Sequence, residues 1–287
     1  MQTIFSIGID ALAYGMILFV ISIGLSVTMG LMRVVNLAHG AFAMIGGYVA
    51  SYVSRDFGLG YAPAILAAVV ATIVIAVPIE RFLYRRIYGA PELTQVLMTI
   101  GITFCIIGLA NYLMGPTLKT IPLSDVLQQP VDLGFRSISA HRLFAIFCGL
   151  AVALCLWLAI EKTGFGIRLR ASVDNAAMAS ALGVRTEIIY AVSFAVAVGL
   201  AAFGGVVGAE LLPVEPYYAL RYLVTFLVVV SVGGAGSIGG TLLACLLLGA
   251  VDTTGRYLLP EFGEFFFYLA VIAIICVFPN GLMKGAK

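Results

Sequence analysis

Residues 161–187 read EKTGFGIRLRASVDNAAMASALGVRTE and form a polar island between two strongly apolar stretches. We expect this island to contain a short helix rather than a plain loop. Asp174 can cap the helix by accepting bonds from its first free backbone amides, and Gly183 can end it in the left-handed conformation that glycine adopts at little cost. Residues spaced i, i+3 and i+4 then form one narrow apolar face: Met178, Ala181 and Leu182.

A helix of about three turns with one apolar face has to bury that face against something. Four cations surround it, as is typical of a short loop left in the cytoplasm: Lys162, Arg168, Arg170 and Arg185. The pattern favours docking of a separate motor protein, and the alternative is a helix that lies on lipid. Asn175 is off the apolar face, so its replacement by alanine is expected to matter little.

The composition excludes a soluble globule. The 287 residues are 62% hydrophobic and 10% charged, with a mean hydropathy of +1.11, whereas soluble domains are about 45–50% apolar and 25% charged. The chain is therefore predicted to be an all-α polytopic membrane protein, one domain over 1–287 with roughly seven to nine spans of about 20 residues. The five cysteines lie in apolar runs without metal-ligand spacing, so no metal, cofactor or disulfide is expected.

Nine apolar segments are predicted as full or broken spans, near 7–30, 37–53, 61–79, 94–114, 143–160, 188–212, 222–232, 242–259 and 265–278. The orientation follows from the cations, because cytoplasmic loops carry an excess of Lys and Arg. With the amino terminus outside, the inner segments hold ten cations: Arg33, Arg81, Arg85, Arg86, Lys162, Arg168, Arg170, Arg185, Lys284 and Lys287. The outer segments hold six: Arg55, Lys119, Arg136, Arg142, Arg221 and Arg256. This count favours an external amino terminus and a cytoplasmic carboxyl terminus.

Two spans are interrupted. The segment 222–232 supplies too few apolar residues to cross a bilayer before the glycine-rich stretch 233–240, GGAGSIGG. Such backbone must face protein or a watery cavity, and we expect it near the membrane middle. In the first half, 33–40 similarly interrupts an apolar region, and short segments in corresponding places of two halves indicate a translocation path. The candidate path residues are Asn36, His39, Gly233, Gly236, Ser237 and Gly239.

Other interpretations are open for some of these features. His39 either lines the path or simply bonds a backbone carbonyl at a helix start. A run of small residues around Gly204 and Gly208 permits close helix packing, within the chain or between subunits. The polar connection 115–142 is long enough to contact a partner outside.

Several functions are disfavoured by the sequence. No Gly-x-x-x-x-Gly-Lys-Ser/Thr phosphate loop is present, so any ATP-driven motor must be another subunit. Ser237 does not lie in the Gly-x-Ser-x-Gly elbow of a hydrolase. An ion-coupled carrier needs ionisable residues at membrane depth, for which Glu210 and Asp252 are the nearest candidates. A structural membrane scaffold is the remaining alternative.

Motifs along nearly the whole chain resemble those of a known family. They are GLMRVVNLAHG at 30–40, IER at 79–81 with YRR at 84–86 and TIG at 99–101, GFGIRLRA at 164–171 with MASALGV at 178–184, GGAGSIGG at 233–240, and FPNGL at 278–282. Their order and spacing resemble the LivH-type permease subunits of bacterial branched-chain amino acid ABC transporters.

The resemblance implies a non-catalytic permease in the bacterial inner membrane, surrounded by lipid and without a nucleic-acid partner. It implies a heterodimer with a second, related permease subunit, two cytoplasmic ATPases that bind ATP and Mg²⁺, and a periplasmic substrate-binding protein. Motor closure would push the docking helix and alternate the access of the bundle. Docking is then assigned to Asp174, Met178, Ala181, Leu182 and Gly183. Hydrophobic amino acids are the expected substrates, and similar systems carry urea, amides or small aromatic acids.

Overall fold

The computed structural model describes residues 2–132, 137–279 and 281–283, and within them the chain is mostly helical. The α-helices, in chain order, are α1 Gln2–Ser26, α2 His39–Arg55, α3 Tyr61–Ile79, α4 Arg85–Ile87, α5 Glu92–Met114, α6 Asp125–Gln128, α7 Ala140–Glu161, α8 Gly164–Asp174, α9 Ala176–Ala181, α10 Thr186–Val207, α11 Tyr218–Arg221, α12 Leu223–Gly233, α13 Ile238–Leu258 and α14 Gly263–Val277. Two short strands, β1 Pro130–Asp132 and β2 Ser137–Ser139, form an antiparallel hairpin between α6 and α7.

Six of the described helices are long and apolar enough to cross a membrane, and shorter apolar helices accompany them. This confirms the predicted all-α polytopic architecture. Each of the nine predicted apolar segments coincides with a helix to within a few residues, because the hydropathy contrast between spans and connections is strong.

The centre of the bundle is α1, which packs against α10, α13, α7 and α12. Its apolar residues from Met16 to Leu25 are buried, and those between positions 17 and 21 are exposed by no more than 1%. Small residues allow this burial, since helices in lipid associate through close packing rather than through a hydrophobic driving force. A Cβ atom built on Gly15 would lie 2.9 Å from the Cys245 carbonyl oxygen of α13.

The small-residue run near the end of α10 packs within the chain. A Cβ atom on Gly205 would lie 2.1 Å from the Ala43 carbonyl oxygen, and one on Gly46 would lie 2.6 Å from the Ala202 Cα atom. Contacts this short leave room only for hydrogen, so the run brings α10 against α2. The small-residue run was open to packing within the chain or between subunits, and the contacts observed lie within the chain.

Two π-helical segments, Val27–Leu31 and Glu80–Tyr84, continue α1 and α3 at the same end of the bundle. Pro78 lies just before the second segment and lacks the N–H that a regular ladder needs. Beyond the first segment, the chain leaves helical geometry at 32–38, where Arg33 has a φ of 54°. Such interruptions are frequently found at functional sites.

The two ends of the bundle differ. The helix-pair end carries α8 and α9, and the hairpin end carries β1 and β2. At the hairpin end, Lys119 pairs with Val214, while Ser51 and Arg55 donate to the Thr120 carbonyl oxygen. The long connection is therefore attached to α2 and to the segment after α10. Arg136, predicted to be outside, and the final cations Lys284 and Lys287 lie outside the described residues.

Candidate translocation path and docking surface

The broken segment 32–38 is held by a ladder of polar side chains on α5. Gln95 Oε1 accepts from the Val35 amide at 2.9 Å, and Thr99 Oγ1 accepts from the Leu37 amide at 3.2 Å. Thr103 Oγ1 donates to the Leu37 carbonyl oxygen at 3.4 Å. The three α5 side chains are spaced four apart on one buried face, and they supply hydrogen-bond partners to backbone that lacks helical ones.

Asn36 lies at the middle of this segment and is fully buried. Its Oδ1 accepts from the Tyr84 hydroxyl at 2.6 Å and from the Ala38 amide at 3.1 Å. Tyr84 belongs to the π-helical segment after α3, so the two interrupted helices are connected through Asn36. Within the described residues, Asn36 Nδ2 has no hydrogen-bond partner.

His39 is the first residue of α2 and is also buried. Its Nε2 lies 2.8 Å from the Ile21 carbonyl oxygen, and its Nδ1 has no partner among the described residues. Ile21 lies well inside α1, so the segment 32–38 turns back from the helix-pair end and α2 begins at depth. The geometry matches the interpretation in which His39 bonds a carbonyl; the carbonyl belongs to another helix.

The second half contains a matching half-helix, but its break precedes the helix instead of following it as predicted. The eleven residues of α12 span about 16 Å, roughly half of the hydrocarbon core. The chain before α12 runs inward along α2: Val214 packs on Gly47, and Ala219 packs on Gly40. The re-entrant stretch is therefore 211–222, which enters from the hairpin end, and α2 and α12 begin near each other inside the bundle.

The glycine-rich stretch 233–240 lies at the helix-pair end, so its expected position near the membrane middle is wrong. Gly234 and Gly236 have φ values of 90° and 83°. The loop rests on the π-helical end of α1: the Gly236 amide donates to Ser26 Oγ at 3.1 Å, and a Cβ atom on Gly30 would lie 1.9 Å from the Gly236 nitrogen. Because the short helix α12 begins inside the bundle, its carboxyl-terminal end reaches the helix-pair end, and the loop that follows it lies there.

The candidate residues of this loop differ in their surroundings. Ser237 Oγ accepts from the Gly240 amide at 3.0 Å and so caps α13. A Cβ atom on Gly233 would meet Thr241 backbone at 2.7 Å, whereas one on Gly239 would meet, among the described residues, the Met283 sulfur at 3.2 Å. A cavity of about 280 Å³ separates Gly236 and Gly239 from the end of α7.

The polar island contains two short helices instead of one helix of three turns. Thr163 Oγ1 accepts from the Phe165 amide and caps α8, which continues to Asp174. The predicted cap at Asp174 is therefore wrong: Asn175 is extended, and its Oδ1 accepts from the Met178 amide at 2.9 Å. Asn175 therefore has a capping role that its position off the apolar face did not indicate. Asp174 cannot cap α9, because its own backbone belongs to the last turn of α8.

The helix pair is anchored on one side and exposed on the other. Leu169 and Ala179 are buried, and the Tyr190 hydroxyl donates to the Ser172 carbonyl oxygen at 2.7 Å. Gly183 ends α9 with a φ of 84°. Three large apolar side chains remain 59–78% exposed: Ile167, Met178 and Leu182. Ala181 is exposed beside them. The helix pair thus presents an apolar surface from a firmly packed base.

Sequence comparisons agree with this architecture. The profile of a family described as branched-chain amino acid transport system / permease component matches residues 8–276. The chain is 26% identical to the high-affinity branched-chain amino acid transport permease LivH of Escherichia coli K12, over 92% of this chain and 90% of that protein. It is 25% identical to BraD of Pseudomonas aeruginosa, over 96% and 94% of the two chains.

A partial similarity extends to another import system. The autoinducer 2 import permease LsrC of Salmonella paratyphi B is 33% identical over 134 residues, which are 44% of this chain and 37% of that protein. No solved structure matches the chain. The match over most of the sequence confirms the resemblance seen in the motifs: the chain belongs to the family of permease components of branched-chain amino acid transport systems.

Proposed function

We propose that this chain forms one half of the membrane path of an ATP-driven importer, whose motor docks on the α8–α9 pair. The observation that carries the proposal is the exposed apolar surface of Met178 and Leu182 on a helix pair whose other face is buried. Burying one such side chain contributes about 1.5–3 kcal/mol. A modest contact of this kind suits a subunit that has to transmit movement.

The distribution of charge supports an orientation with the helix pair in the cytoplasm. Eight described cations belong to the helix-pair end: Arg33, Arg81, Arg85, Arg86, Lys162, Arg168, Arg170 and Arg185. Four described cations belong to the hairpin end, namely Arg55, Lys119, Arg142 and Arg256, and Arg221 lies in the re-entrant stretch that enters from it. By the positive-inside bias, the amino terminus and the hairpin face outward.

The path is proposed to run past the convergent starts of α2 and α12. Transporters commonly bind substrate where discontinuous helices begin, because their positive dipole ends face the substrate. Asn36 Nδ2 and His39 Nδ1 are buried polar atoms without partners among the described residues. Buried polar atoms are rarely left unpaired, and we infer that water or substrate satisfies these two in another state of the cycle. Gly233, Gly236, Ser237 and Gly239 would then form the inner closure of the path.

The partners follow from the same arrangement. Two ATPases, which supply the ATP and Mg²⁺ sites, would bind at the cytoplasmic side, and a substrate-binding protein would release its ligand at the hairpin end. The largely exposed apolar faces of α3 and α5 are available to lipid and to a second, related permease subunit. The chain itself would carry no catalytic residue.

Copurification with the ATPase tests the proposal. Leu182→Ala and Met178→Asp should reduce the copurified ATPase and ATP-dependent leucine uptake at least fivefold, while insertion in the membrane stays normal. Leu118→Ala and Val126→Asp are matched controls for ATPase association, because both residues are exposed at the opposite, hairpin end. Full association and uptake in the two helix-pair variants would mean that α9 lies on lipid. Uptake that depends on a proton gradient and not on ATP would instead favour an ion-coupled carrier.

A further inference from the structure

A polar cavity at the hairpin end is lined neither by the docking residues nor by Asn36 and His39. We call it the hairpin-end pocket, and it is bordered by Asp10, Arg142, Pro213, Tyr222 and Asp252. Its volume of about 350 Å³ falls in the range of roughly 300–1,000 Å³ that small-molecule sites occupy. It lies between α1, α7 and α13, where the re-entrant stretch 211–222 enters the bundle.

Charges of both signs face this pocket. Arg142 forms an ion pair with Asp10, which joins α7 to α1. Arg256 Nε lies 2.9 Å from Asp252 Oδ2 on the next turn of α13. The carboxylate side chains are only 11% and 6% exposed. The guanidinium side chains of Arg142 and Arg256 are more accessible, at 26% and 53% exposed. The pocket is thus lined by carboxylate and guanidinium groups together.

The start of α12 adds a fixed positive potential. Tyr222 immediately precedes this helix and borders the pocket, and Thr225 of its first turn borders the adjoining cavity together with Asp252. A helix amino terminus favours a negative group, and in transporters half-helices present this end to substrate carboxylates. On the other side, Leu211, Leu212 and Pro213 supply an apolar wall.

We propose that the hairpin-end pocket is a receiving site for a zwitterionic α-amino acid with an apolar side chain. The substrate carboxylate faces Arg142, Arg256 and the start of α12. The ammonium group faces Asp10 and Asp252, and the side chain contacts the wall at 211–213. The substrate exchanges partners with ion pairs that are already present, so no net charge is added to the pocket. Such exchange suits a transient site in a path.

This inference rests on the proposed importer with the hairpin end outward. It extends that proposal by naming the groups that recognise the substrate before it reaches the broken helices. It also distinguishes a site for zwitterions from a purely apolar channel, since a channel of that kind would not need carboxylates and guanidinium groups in one cavity.

Photolabelling of the assembled transporter tests the site. Membrane vesicles that contain the permease, its ATPase and the binding protein are illuminated with a diazirine analogue of leucine, and labelled peptides are identified by mass spectrometry. We expect label within 211–213, competed by leucine at least tenfold better than by 4-methylpentanoate or isoamylamine, each of which carries only one of the two charges. Equal competition by the three compounds would overturn the proposal.

Variants separate recognition from folding. Asp252→Asn and Arg142→Gln should lower the labelling at least tenfold, and Leu211→Trp should do so without changing a charge. Glu210→Gln is the matched control, because Glu210 pairs with His141 at the same end without bordering the pocket. ATPase copurification shows whether each variant assembles. Wild-type vesicles that take up leucine with ATP but show no label at 211–213 would refute this site alone, whereas absence of ATP-dependent uptake would refute the importer.

Discussion

Replacement of Thr99 by valine should release the broken segment 32–38 from α5. Thr99 is fully buried, and its Oγ1 accepts the Leu37 amide hydrogen at 3.2 Å. Valine keeps the shape and leaves that amide without its acceptor. An unsatisfied buried donor costs about 1–3 kcal/mol, which corresponds to an opening equilibrium raised about 5- to 150-fold.

Hydrogen–deuterium exchange of peptides that cover 32–38, measured on the purified permease in lipid nanodiscs, reports this opening directly. Thr72→Val is the matched control, because Thr72 is equally buried but bonds only the Ala68 carbonyl oxygen of its own helix. Exchange in 32–38 should accelerate in Thr99→Val and remain at the wild-type rate in Thr72→Val. If the two variants exchange alike, the α5 ladder does not hold the segment and the account of the interruption is wrong.

Three further predictions follow from particular contacts. Asn175→Ala should destabilise α9 by about 0.5–2 kcal/mol through loss of the cap on the Met178 amide, whereas Asp174→Ala should have little effect; the exchange rate of peptides over 175–183 measures both. Gly236→Ala should abolish uptake, because Gly236 combines a φ of 83° with close contact to Gly30. Gly239→Ala should be tolerated, because the neighbouring Met283 side chain is flexible. Uptake per assembled permease measures both variants, and equal loss of uptake in the two would contradict the prediction. In a background without native cysteines, Val126→Cys should react with an impermeant maleimide from outside the cell and Met178→Cys should react only after permeabilisation; the reverse pattern would invert the orientation.

The helices could be predicted from the sequence because apolar runs in a membrane protein have few alternative structures. The position of the second helix break could not be predicted from the sequence. The shortness of α12 is visible in the hydropathy, but only the packing of Ala219 on Gly40 shows that the missing half precedes the helix. Both glycine-rich loops and re-entrant stretches interrupt a hydropathy pattern, and the pattern alone does not distinguish them.

The residue that caps α9 was also ambiguous in the sequence. Asp174 and Asn175 are adjacent and both belong to residue types that cap helices, so the choice depends on where α8 ends. The α5 ladder carried a usable signal, since Gln95, Thr99 and Thr103 repeat every four residues in an apolar span. Their partners lie about sixty residues earlier in the chain, and a single sequence does not reveal such pairing.

Site-directed crosslinking in native vesicles shows whether the α8–α9 surface binds an ATPase. A photoreactive phenylalanine placed at Leu182 should crosslink to the ATPase, and the same probe at Val126 should not, because these exposed residues lie at opposite ends of the bundle. We expect an ATPase adduct from position 182 whose yield changes when ATP is added. Crosslinking of position 182 to lipid alone, in vesicles where the ATPase is present, would contradict it.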